Sequence, residues 1–255
     1  MPVVNLNLSD FGQLVGRRDV TSVIRVLDQA GMEAEIVGQE LRVEVPHNRP
    51  DLLTIEGVAR LVKGMLGVQT GLRRYRVRKP RIELQVEESV RQVRPFIRAC
   101  VVRRVNLTEE SLISLMQAQE KLHETYCRRR RKASIGVYDL DTITPPIYYR
   151  AVQPDQVSFV PLGMSERMSL DEILRKHPKG AEFAHLLEGK DRYPILVDSR
   201  GTVLSMPPIV NSEDTKVTVR TRNLFIDVTG TDERVVVNTL KILMCALAER
   251  GFTLE

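Results

Sequence analysis

The segment from residue 193 to residue 232 decides the fold, and it reads YPILVDSRGTVLSMPPIVNSEDTKVTVRTRNLFIDVTGTD. Within it, turn-forming residues separate three short apolar runs at residues 195–197, 217–219 and 224–228. Apolar runs of this length between Gly, Pro, Asn and Asp are typical of β-strands. We therefore predict three strands here, joined in one sheet.

Small polar side chains lie within these strands or directly after them, namely Ser205, Asn211, Asp227 and Thr229. Asp227 and Thr229 are two residues apart, and alternate residues of a strand point to the same face. A carboxylate beside a hydroxyl on one face can bind a ligand hydroxyl or a water molecule. The other interpretation is a polar pair that faces solvent on an antiparallel sheet, and the pattern alone leaves both open.

The composition bounds the class of protein. Of the 255 residues, 42% are hydrophobic and 28% are charged, which is typical of a soluble globular protein. The net charge of +5 favours a polyanionic partner only weakly. Cys100, Cys127 and Cys245 lie far apart, so we predict reduced thiols in a cytoplasmic protein rather than disulfides or a zinc site. No signal peptide or long apolar run is present, which predicts no membrane contact.

The motifs of several common catalytic classes are absent. The sequence contains no GxGxxG, no P-loop, no HExxH and no GxSxG. The four histidines, His47, His123, His177 and His185, lack the spacing of metal ligands, so we expect each to be structural or exposed and predict no metal site. No pair of nucleophile and base is evident, and the sequence therefore gives little support to a general-base mechanism.

The chain divides into two predicted domains at a linker. Residues 1–78 read as a small α/β domain, with a helix over 20–30, a hairpin over 33–45 and a helix over 52–66. Glycine and arginine dominate residues 67–80, a composition that indicates a connector. We place the boundary there and assign residues 79–255 to a second, larger domain, which gives the chain an α+β class.

A basic run is the best candidate for an RNA contact. A helix predicted to begin at Thr108 leads into this run, which consists of Arg128, Arg129, Arg130, Arg131 and Lys132. Cations suit a helix C-terminus, but five in a row repel one another unless an anion bridges them. The run is predicted either to bind an RNA backbone or to form a flexible basic loop.

Several blocks of the sequence resemble the editing domain of the archaeal and eukaryal phenylalanyl-tRNA synthetase beta subunit. They are ASIGVYDLD at 133–141, FVPLG at 159–163, HPKG at 177–180, LSMPPIVN at 204–211 and TRNLFIDVTGTD at 221–232. The resemblance implies a mixed or antiparallel-sheet editing domain flanked by helices. It also implies hydrolysis of tyrosine wrongly attached to tRNA(Phe).

The resemblance extends over the whole chain, although the family's beta subunit is longer. It implies two partners, tRNA(Phe), above all its aminoacylated 3′ end, and the alpha subunit of an alpha2beta2 heterotetramer. It implies no cofactor in this fragment, because ATP and Mg²⁺ serve the aminoacylation site of the parent complex. The fragment is therefore not expected to charge tRNA alone.

The family's editing pocket, carried over residue by residue, falls on Leu196, Ser205, Asn211, Asp227 and Thr229. By hypothesis, Asp227 and Thr229 recognise or orient polar groups of the substrate. Ser205 and Asn211 hold the water or the ester end, and Leu196 packs on the substrate ring. Two other functions remain open. One is a non-catalytic scaffold that binds RNA or a subunit, and the other is an amino-acid or peptide-binding module.

Overall fold

The computed structural model describes residues 1–16 and 19–255. The strands in these residues are β1 (Val3–Asn7), β2 (Ala34–Val37), β3 (Glu40–Glu44), β4 (Leu84–Val86), β5 (Phe96–Arg103), β6 (Ala133–Asp139), β7 (Ile147–Val152), β8 (Ser158–Phe159), β9 (Met168–Ser169), β10 (Tyr193–Asp198), β11 (Val203–Met206), β12 (Val210–Asn211), β13 (Asn223–Gly230) and β14 (Thr253–Leu254). The helices are α1 (Leu8–Val15), α2 (Val20–Gln29), α3 (Ile55–Met65), α4 (Glu109–Glu124), α5 (Leu170–Lys176), α6 (Pro178–Phe183) and α7 (Glu233–Glu249).

The N-terminal part contains a three-stranded antiparallel sheet in the order β1-β3-β2, with α1, α2 and α3 beside it. The predicted hairpin is confirmed as β2 and β3. The helix predicted over residues 52–66 is observed as a 3₁₀ turn at Pro50–Leu53 followed by α3. Thr54 separates these two elements. Its backbone is extended, and its hydroxyl accepts a hydrogen bond from the Gly57 amide, so Thr54 is the N-cap of α3.

Two larger sheets pack face to face and form the centre of the molecule. One has five strands in the order β12-β11-β10-β7-β4, with β4 parallel to β7. The other has four antiparallel strands in the order β14-β5-β13-β6. Buried residues of both sheets, among them Phe225, Tyr149 and Leu196, fill the space between them. The predicted α+β class is confirmed.

Helices cover the two outer faces of this pair of sheets. A core cluster on the far side of the five-stranded sheet contains Ile173 of α5 and Phe183 of α6. The far side of the four-stranded sheet shares a continuous core with α7 and with the N-terminal part. The boundary at residues 78 and 79 remains a prediction, since apolar packing joins both sides of it. No helix among the described residues is both long enough and apolar enough to cross a bilayer.

The prediction that residues 193–232 form one sheet is wrong. Residues 195–197 lie in β10 of the five-stranded sheet, whereas residues 224–228 lie in β13 of the four-stranded sheet. Residues 217–219 form no strand, because nearby threonines take the backbone bonds that a ladder needs. Thr221 Oγ1 accepts from the amide of Thr218 at 3.1 Å, and Thr218 Oγ1 accepts from the amide of Arg220 at 3.2 Å.

Candidate functional site

A cavity of about 410 Å³ opens between helix α4, strand β6 and the segment that links β11 to β12. This volume lies within the range typical of small-ligand sites. Its wall combines apolar side chains with buried polar ones. The residues that line it are Leu112, Met116, Gln119, Glu120, His123, Arg130, Ser134, Ile135, Gly136, Val137, Tyr138, Leu162, Gly163, His177, Lys179, Ser205, Pro207, Pro208, Ile209, Val210, Asn211, Ser212, Lys216, Val217 and Asp227.

Three buried polar side chains from three strands meet in this wall. The Tyr138 hydroxyl of β6 lies 2.5 Å from Asp227 Oδ1 of β13 and 2.7 Å from Ser205 Oγ of β11. A hydroxyl has one proton, and an ionised carboxylate is the stronger acceptor. Tyr138 therefore donates mainly to ionised Asp227, and the Ser205 hydroxyl oxygen is a second, weaker acceptor within reach of the same proton. The Ser205 oxygen and the second Asp227 oxygen keep acceptor capacity that no described residue fills.

Burial controls the protonation of this cluster. It raises the pKa of Asp227 from 3.8 to about 7, against the opposing effects of the Tyr138 hydrogen bond and of the nearby Arg94 guanidinium. Burial and the Asp227 charge together raise the pKa of Tyr138 well above 10. At neutral pH, Asp227 therefore exists in both protonation states while Tyr138 keeps its proton.

Gly136 leaves room for this cluster at the centre of β6. It is the cross-strand partner of Asp227. A Cβ atom at this position would lie 1.9 Å from the Tyr138 hydroxyl oxygen and 2.3 Å from Asp227 Oδ1. Only a residue without a side chain allows the phenol to pass over the strand and reach the carboxylate.

The opposite wall is formed by α4, which carries Glu120 and His123 into the cavity lining. His123 is buried, and its Nε2 accepts a hydrogen bond from the Ile135 amide at 2.8 Å. Burial lowers the pKa of His123 to about 4, so the ring is neutral at neutral pH. The imidazole Nδ1 at 3.6 Å and the Arg130 guanidinium lower the pKa of Glu120 to about 2. Glu120 is therefore a permanent negative charge at this wall.

Comparison with known proteins places this cavity in a defined domain. The B3/4 domain family matches residues 95–247, more than half of the chain, and this range contains every residue that lines the cavity. A solved N-terminal fragment of the phenylalanyl-tRNA synthetase beta subunit from Pyrococcus horikoshii superposes with a TM-score of 0.94 at 41% identity. The match covers 99% of this chain and 75% of that fragment.

The chain belongs to the phenylalanyl-tRNA synthetase beta-subunit family. Phenylalanine–tRNA ligase beta subunits from Methanosarcina barkeri and Archaeoglobus fulgidus are 45% and 47% identical to it over all of its residues. The beta subunit from Pyrococcus furiosus is 46% identical over 98% of the chain. In each case the match covers 46% of the relative, so the chain spans about half the length of these beta subunits.

The structure brings together three of the five editing-pocket residues that the sequence suggests. Ser205, Asn211 and Asp227 line the cavity. Asn211 donates from Nδ2 to the carbonyl oxygen of Val137 at 3.2 Å. Ser205 is bound to the Tyr138 phenol, which groups it with Asp227.

The other two suggested residues, Leu196 and Thr229, are not among the lining residues. Leu196 is fully buried in the core between the two sheets. As the two-residue spacing predicts, Thr229 and Asp227 lie on the same face of β13. That face points away from α7 and toward the five-stranded sheet. The Thr229 hydroxyl, however, accepts from Arg94 Nε at 2.9 Å and lies 3.1 Å from Ser134 Oγ, behind the cavity wall.

The basic run needs a correction at Arg130. Helix α4 ends at Glu124, and the run follows in a turn whose first three arginines have positive φ values. Arg130 is buried, and it donates to the carbonyl oxygens of Pro208 and Ile209 at 3.2 and 2.8 Å and to Glu120 at 3.0 Å. Its guanidinium therefore forms part of the cavity wall, not of an exposed RNA surface.

The rest of the basic run keeps its exposed character. Arg128, Arg129 and Arg131 are exposed, and Lys132 is partly buried beside Asp232, with 2.9 Å between Nζ and Oδ2. For these four residues, contact with RNA remains a prediction. The correction at Arg130 has a local cause, since a tight turn of consecutive left-handed residues points neighbouring side chains in different directions.

Sequence reasoning missed several polar residues of the site. Tyr138 lies in a block that supports the family resemblance, but nothing local shows that its hydroxyl reaches Asp227. His123 is bound to the Ile135 amide, and it also lines the cavity. Arg94 gives no signal in the sequence, although it is fully buried beneath the site. Among the described residues, no cluster of His, Cys, Asp and Glu has the form of a metal site.

Proposed function

We propose that this cavity binds the aminoacyl ester end of Tyr-tRNA(Phe) and that the chain hydrolyses the ester. The observation that carries the proposal is the buried cluster of Tyr138, Asp227 and Ser205. It offers unfilled acceptors in a cavity of small-ligand size within the B3/4 domain. A tyrosine phenol is a hydrogen-bond donor that fits such acceptors.

The same cluster gives a reason for discrimination against phenylalanine. A phenyl ring in this position would leave the Asp227 and Ser205 oxygens without a partner in a site from which it had displaced water. Sites built to hydrogen-bond a substrate hydroxyl reject the analogue without it by roughly 10⁴–10⁵-fold. In this proposal Ser205 belongs with Asp227 at the phenol end. Thr229 acts through Arg94 and Ser134 by supporting the β13 strand that carries Asp227.

The chemical step makes modest demands on the protein. An aminoacyl ester is already activated, so the cavity needs mainly to bind it and position one water molecule. Asn211 lies in the wall, and its side-chain Oδ1 accepts no hydrogen bond from a described residue, so we assign it to the water or the ester end. Glu120 adds a fixed charge nearby, although a carboxylate with a pKa of about 2 is a weak base.

The test compares release of amino acid from Tyr-tRNA(Phe) and Phe-tRNA(Phe) by the full-length protein. Wild type should release tyrosine selectively. We expect Asp227→Ala and Ser205→Ala to reduce the ratio of the two rates by about 10–10²-fold each, because each removes one hydrogen-bond partner of the phenol. Asp155→Ala, at an exposed position outside the cavity, is the matched control. Unchanged ratios in both pocket variants would remove these residues from the site.

The same proposal extends to the longer protein that the relatives indicate. Those relatives carry the name phenylalanine–tRNA ligase beta subunit. We propose that the longer protein joins an alpha subunit in a cytoplasmic alpha2beta2 complex that ligates phenylalanine to tRNA(Phe). In that complex, ATP and Mg²⁺ would act at a site outside this chain.

A non-catalytic scaffold is the second candidate, and the exposed arginines of the basic run favour it. Arg128, Arg129 and Arg131 present charge to solvent without any requirement for chemistry in the cavity. Binding of tRNA(Phe) without release of tyrosine would support this function over hydrolysis. Binding of free tyrosine with no dependence on tRNA would instead support an amino-acid-binding module.

A further inference from the structure

His123 is held in one tautomer by the edge of the four-stranded sheet. Strand β6 is an edge strand, and α4 covers its free backbone groups at Ile135. Gln119 Nε2 donates to the Ile135 carbonyl oxygen at 2.9 Å, and His123 Nε2 accepts from the Ile135 amide at 2.8 Å. A neutral imidazole has one acceptor nitrogen and one donor nitrogen. Because Nε2 is the acceptor, the proton lies on Nδ1.

The Nδ1–H group has no hydrogen-bond partner among the described residues, although only 3% of His123 is exposed. Glu120 Oε1 is 3.6 Å away, which is too far for a hydrogen bond, and it is already bound by Arg130 at 3.0 Å. A buried donor without a partner is unfavourable, and such groups are rare in folded proteins. Since His123 lines the cavity, a ligand that enters the cavity can satisfy it.

Two facts restrict what this group can do. With a pKa lowered by burial to about 4, the ring neither accepts nor releases a proton near neutral pH, so it acts as a fixed donor. The charged groups that act on it are Glu120, Arg130 and, last in order of size, Arg94, whereas the phenol cluster lies on the face of β6 above Gly136. His123 therefore serves a different part of the ligand from the one that Asp227 and Ser205 bind.

We infer that His123 is a catalytic residue whose Nδ1–H donates a hydrogen bond to the carbonyl oxygen of the bound aminoacyl ester. The inference rests on the proposed function. In the reaction, water attacks the carbonyl carbon and the bond from that carbon to the ribose oxygen breaks. The products are tyrosine and tRNA with a free ribose hydroxyl, which takes a proton from the water. His123 keeps its proton throughout and stabilises the negative charge that develops on the carbonyl oxygen.

Two substitutions separate the donor from the structural acceptor. The glutamine amide oxygen in His123→Gln matches Nε2 and can still accept from Ile135, but the variant has no donor at the Nδ1 position. The asparagine amide nitrogen in His123→Asn matches Nδ1 and keeps the donor, while the bond to Ile135 is lost. His185→Gln, at an exposed histidine that does not line the cavity, is the control.

The experiment measures kcat and KM for tyrosine release from Tyr-tRNA(Phe) by the full-length protein, and Tm for each variant. Loss of one such donor reduces kcat by about 10²–10³-fold in enzymes. We expect that loss in His123→Gln, with KM within about threefold of wild type. His123→Asn should have a lower Tm but keep kcat within about tenfold of wild type. His185→Gln should match wild type.

Three results would overturn the inference. The first is a kcat near wild type in His123→Gln. The second is equal loss in both His123 variants that follows their Tm, which would indicate a structural role only. The third is a wild-type protein that releases no tyrosine at all, which overturns the proposed function as well. The third result can be told apart from the other two, because tyrosine release would then be absent in wild type and in every variant, including Asp227→Ala.

Discussion

At the residue scale, the buried carboxyl of Asp227, to which we assign recognition of the substrate phenol, also makes stability depend on pH. Its pKa is raised from 3.8 to about 7, so the folded state binds more protons than the unfolded state between these pH values. Stability contributed by this group is therefore complete below about pH 4 and decreases as the pH rises to about 7. Nothing further is lost above that pH. A shift of this size corresponds to at most ~4 kcal/mol.

This linkage predicts a difference between wild type and Asp227→Asn. The variant cannot titrate at this position, so its stability should rise relative to wild type as the pH increases from 4.5 to 7.5. The measurement is the free energy of unfolding in urea at half-unit pH intervals, expressed as the difference between the two proteins. Asp155→Asn supplies the control at an exposed site. A difference that does not change with pH would contradict the raised pKa.

Gly136 provides a second prediction at this scale. In Gly136→Ala, the new methyl group would overlap the Tyr138 hydroxyl and Asp227 Oδ1, and relief requires the phenol to leave the carboxylate. We expect a loss of ~1–3 kcal/mol in stability together with a reduced Tyr-to-Phe ratio of deacylation rates.

The matched control for this change is Gly64→Ala in α3, where the nearest atom to the added Cβ is 3.8 Å away. That change should be neutral or should stabilise the protein by up to ~1 kcal/mol, because alanine is the better helix former. Thermal unfolding of both variants measures the difference. Equal behaviour of the two would show that the space above Gly136 is not required.

At the scale of elements, Arg94 lies in the segment before β5 and forms hydrogen bonds to β13 and β6, two strands of the candidate site. Its guanidinium donates to the Thr229 hydroxyl and carbonyl oxygens, both at 2.9 Å, to Ser134 Oγ at 3.1 Å and to the Arg130 carbonyl oxygen at 3.2 Å. One side chain thus connects β13, β6 and the turn after α4. Burial lowers its pKa to about 10, so it remains charged at neutral pH.

The geometry of these bonds predicts that Arg94→Lys is not a conservative change. A lysine ammonium cannot reproduce the planar fork, so some of the four acceptors would lose their partner in a buried site. We expect a loss of ~2–4 kcal/mol in the free energy of unfolding and weaker binding of a tyrosyl-adenosine amide analogue. Arg91→Lys, three residues earlier and exposed, should change stability by less than ~0.5 kcal/mol. Calorimetry measures both quantities.

At the scale of the whole molecule, a buried ion cluster joins the N-terminal part to the end of α7. Arg250 lies against Asp10, with Nη2 2.8 Å from Oδ2, and also contacts Glu56 through Nε. Arg250 and both carboxylates are each about one-tenth exposed or less at the side chain. Since the hydrophobic core is continuous across the same contact, the two parts are expected to unfold together.

Removal of the central cation tests this coupling. In Arg250→Met, two carboxylates remain buried without a counter-charge, which we expect to cost ~3–5 kcal/mol at pH 7. The loss should appear also in the hydrogen exchange of amides in β1 and β3, far from residue 250 in sequence. Arg234→Met, at the exposed first turn of the same helix, is the control. Protection of β1 and β3 that stays at the wild-type level would show that the N-terminal part folds independently.

Local pattern was sufficient for much of the secondary structure. The hairpin of β2 and β3 depends on nearby residues and is observed where the sequence predicts it. Helices α5 and α7 likewise begin at local caps, the side chains of Ser169 and Asp232. The shared face of Asp227 and Thr229 likewise follows from the two-residue period of a strand. The family resemblance also lies in the sequence itself, since it depends on ordered blocks of residues.

Only the tertiary structure decided which sheet each strand joins and which side chains meet. Tyr138 and Asp227 are 89 residues apart, and Arg94 and Thr229 are 135 apart, so no local period relates them. The tertiary structure also decided which polar side chains are buried. Burial raises the pKa of Asp227, places Arg130 in the interior and leaves the Nδ1–H of His123 without a partner among the described residues. Burial is set by contacts between distant segments, whereas propensity and periodicity carry information about neighbours alone.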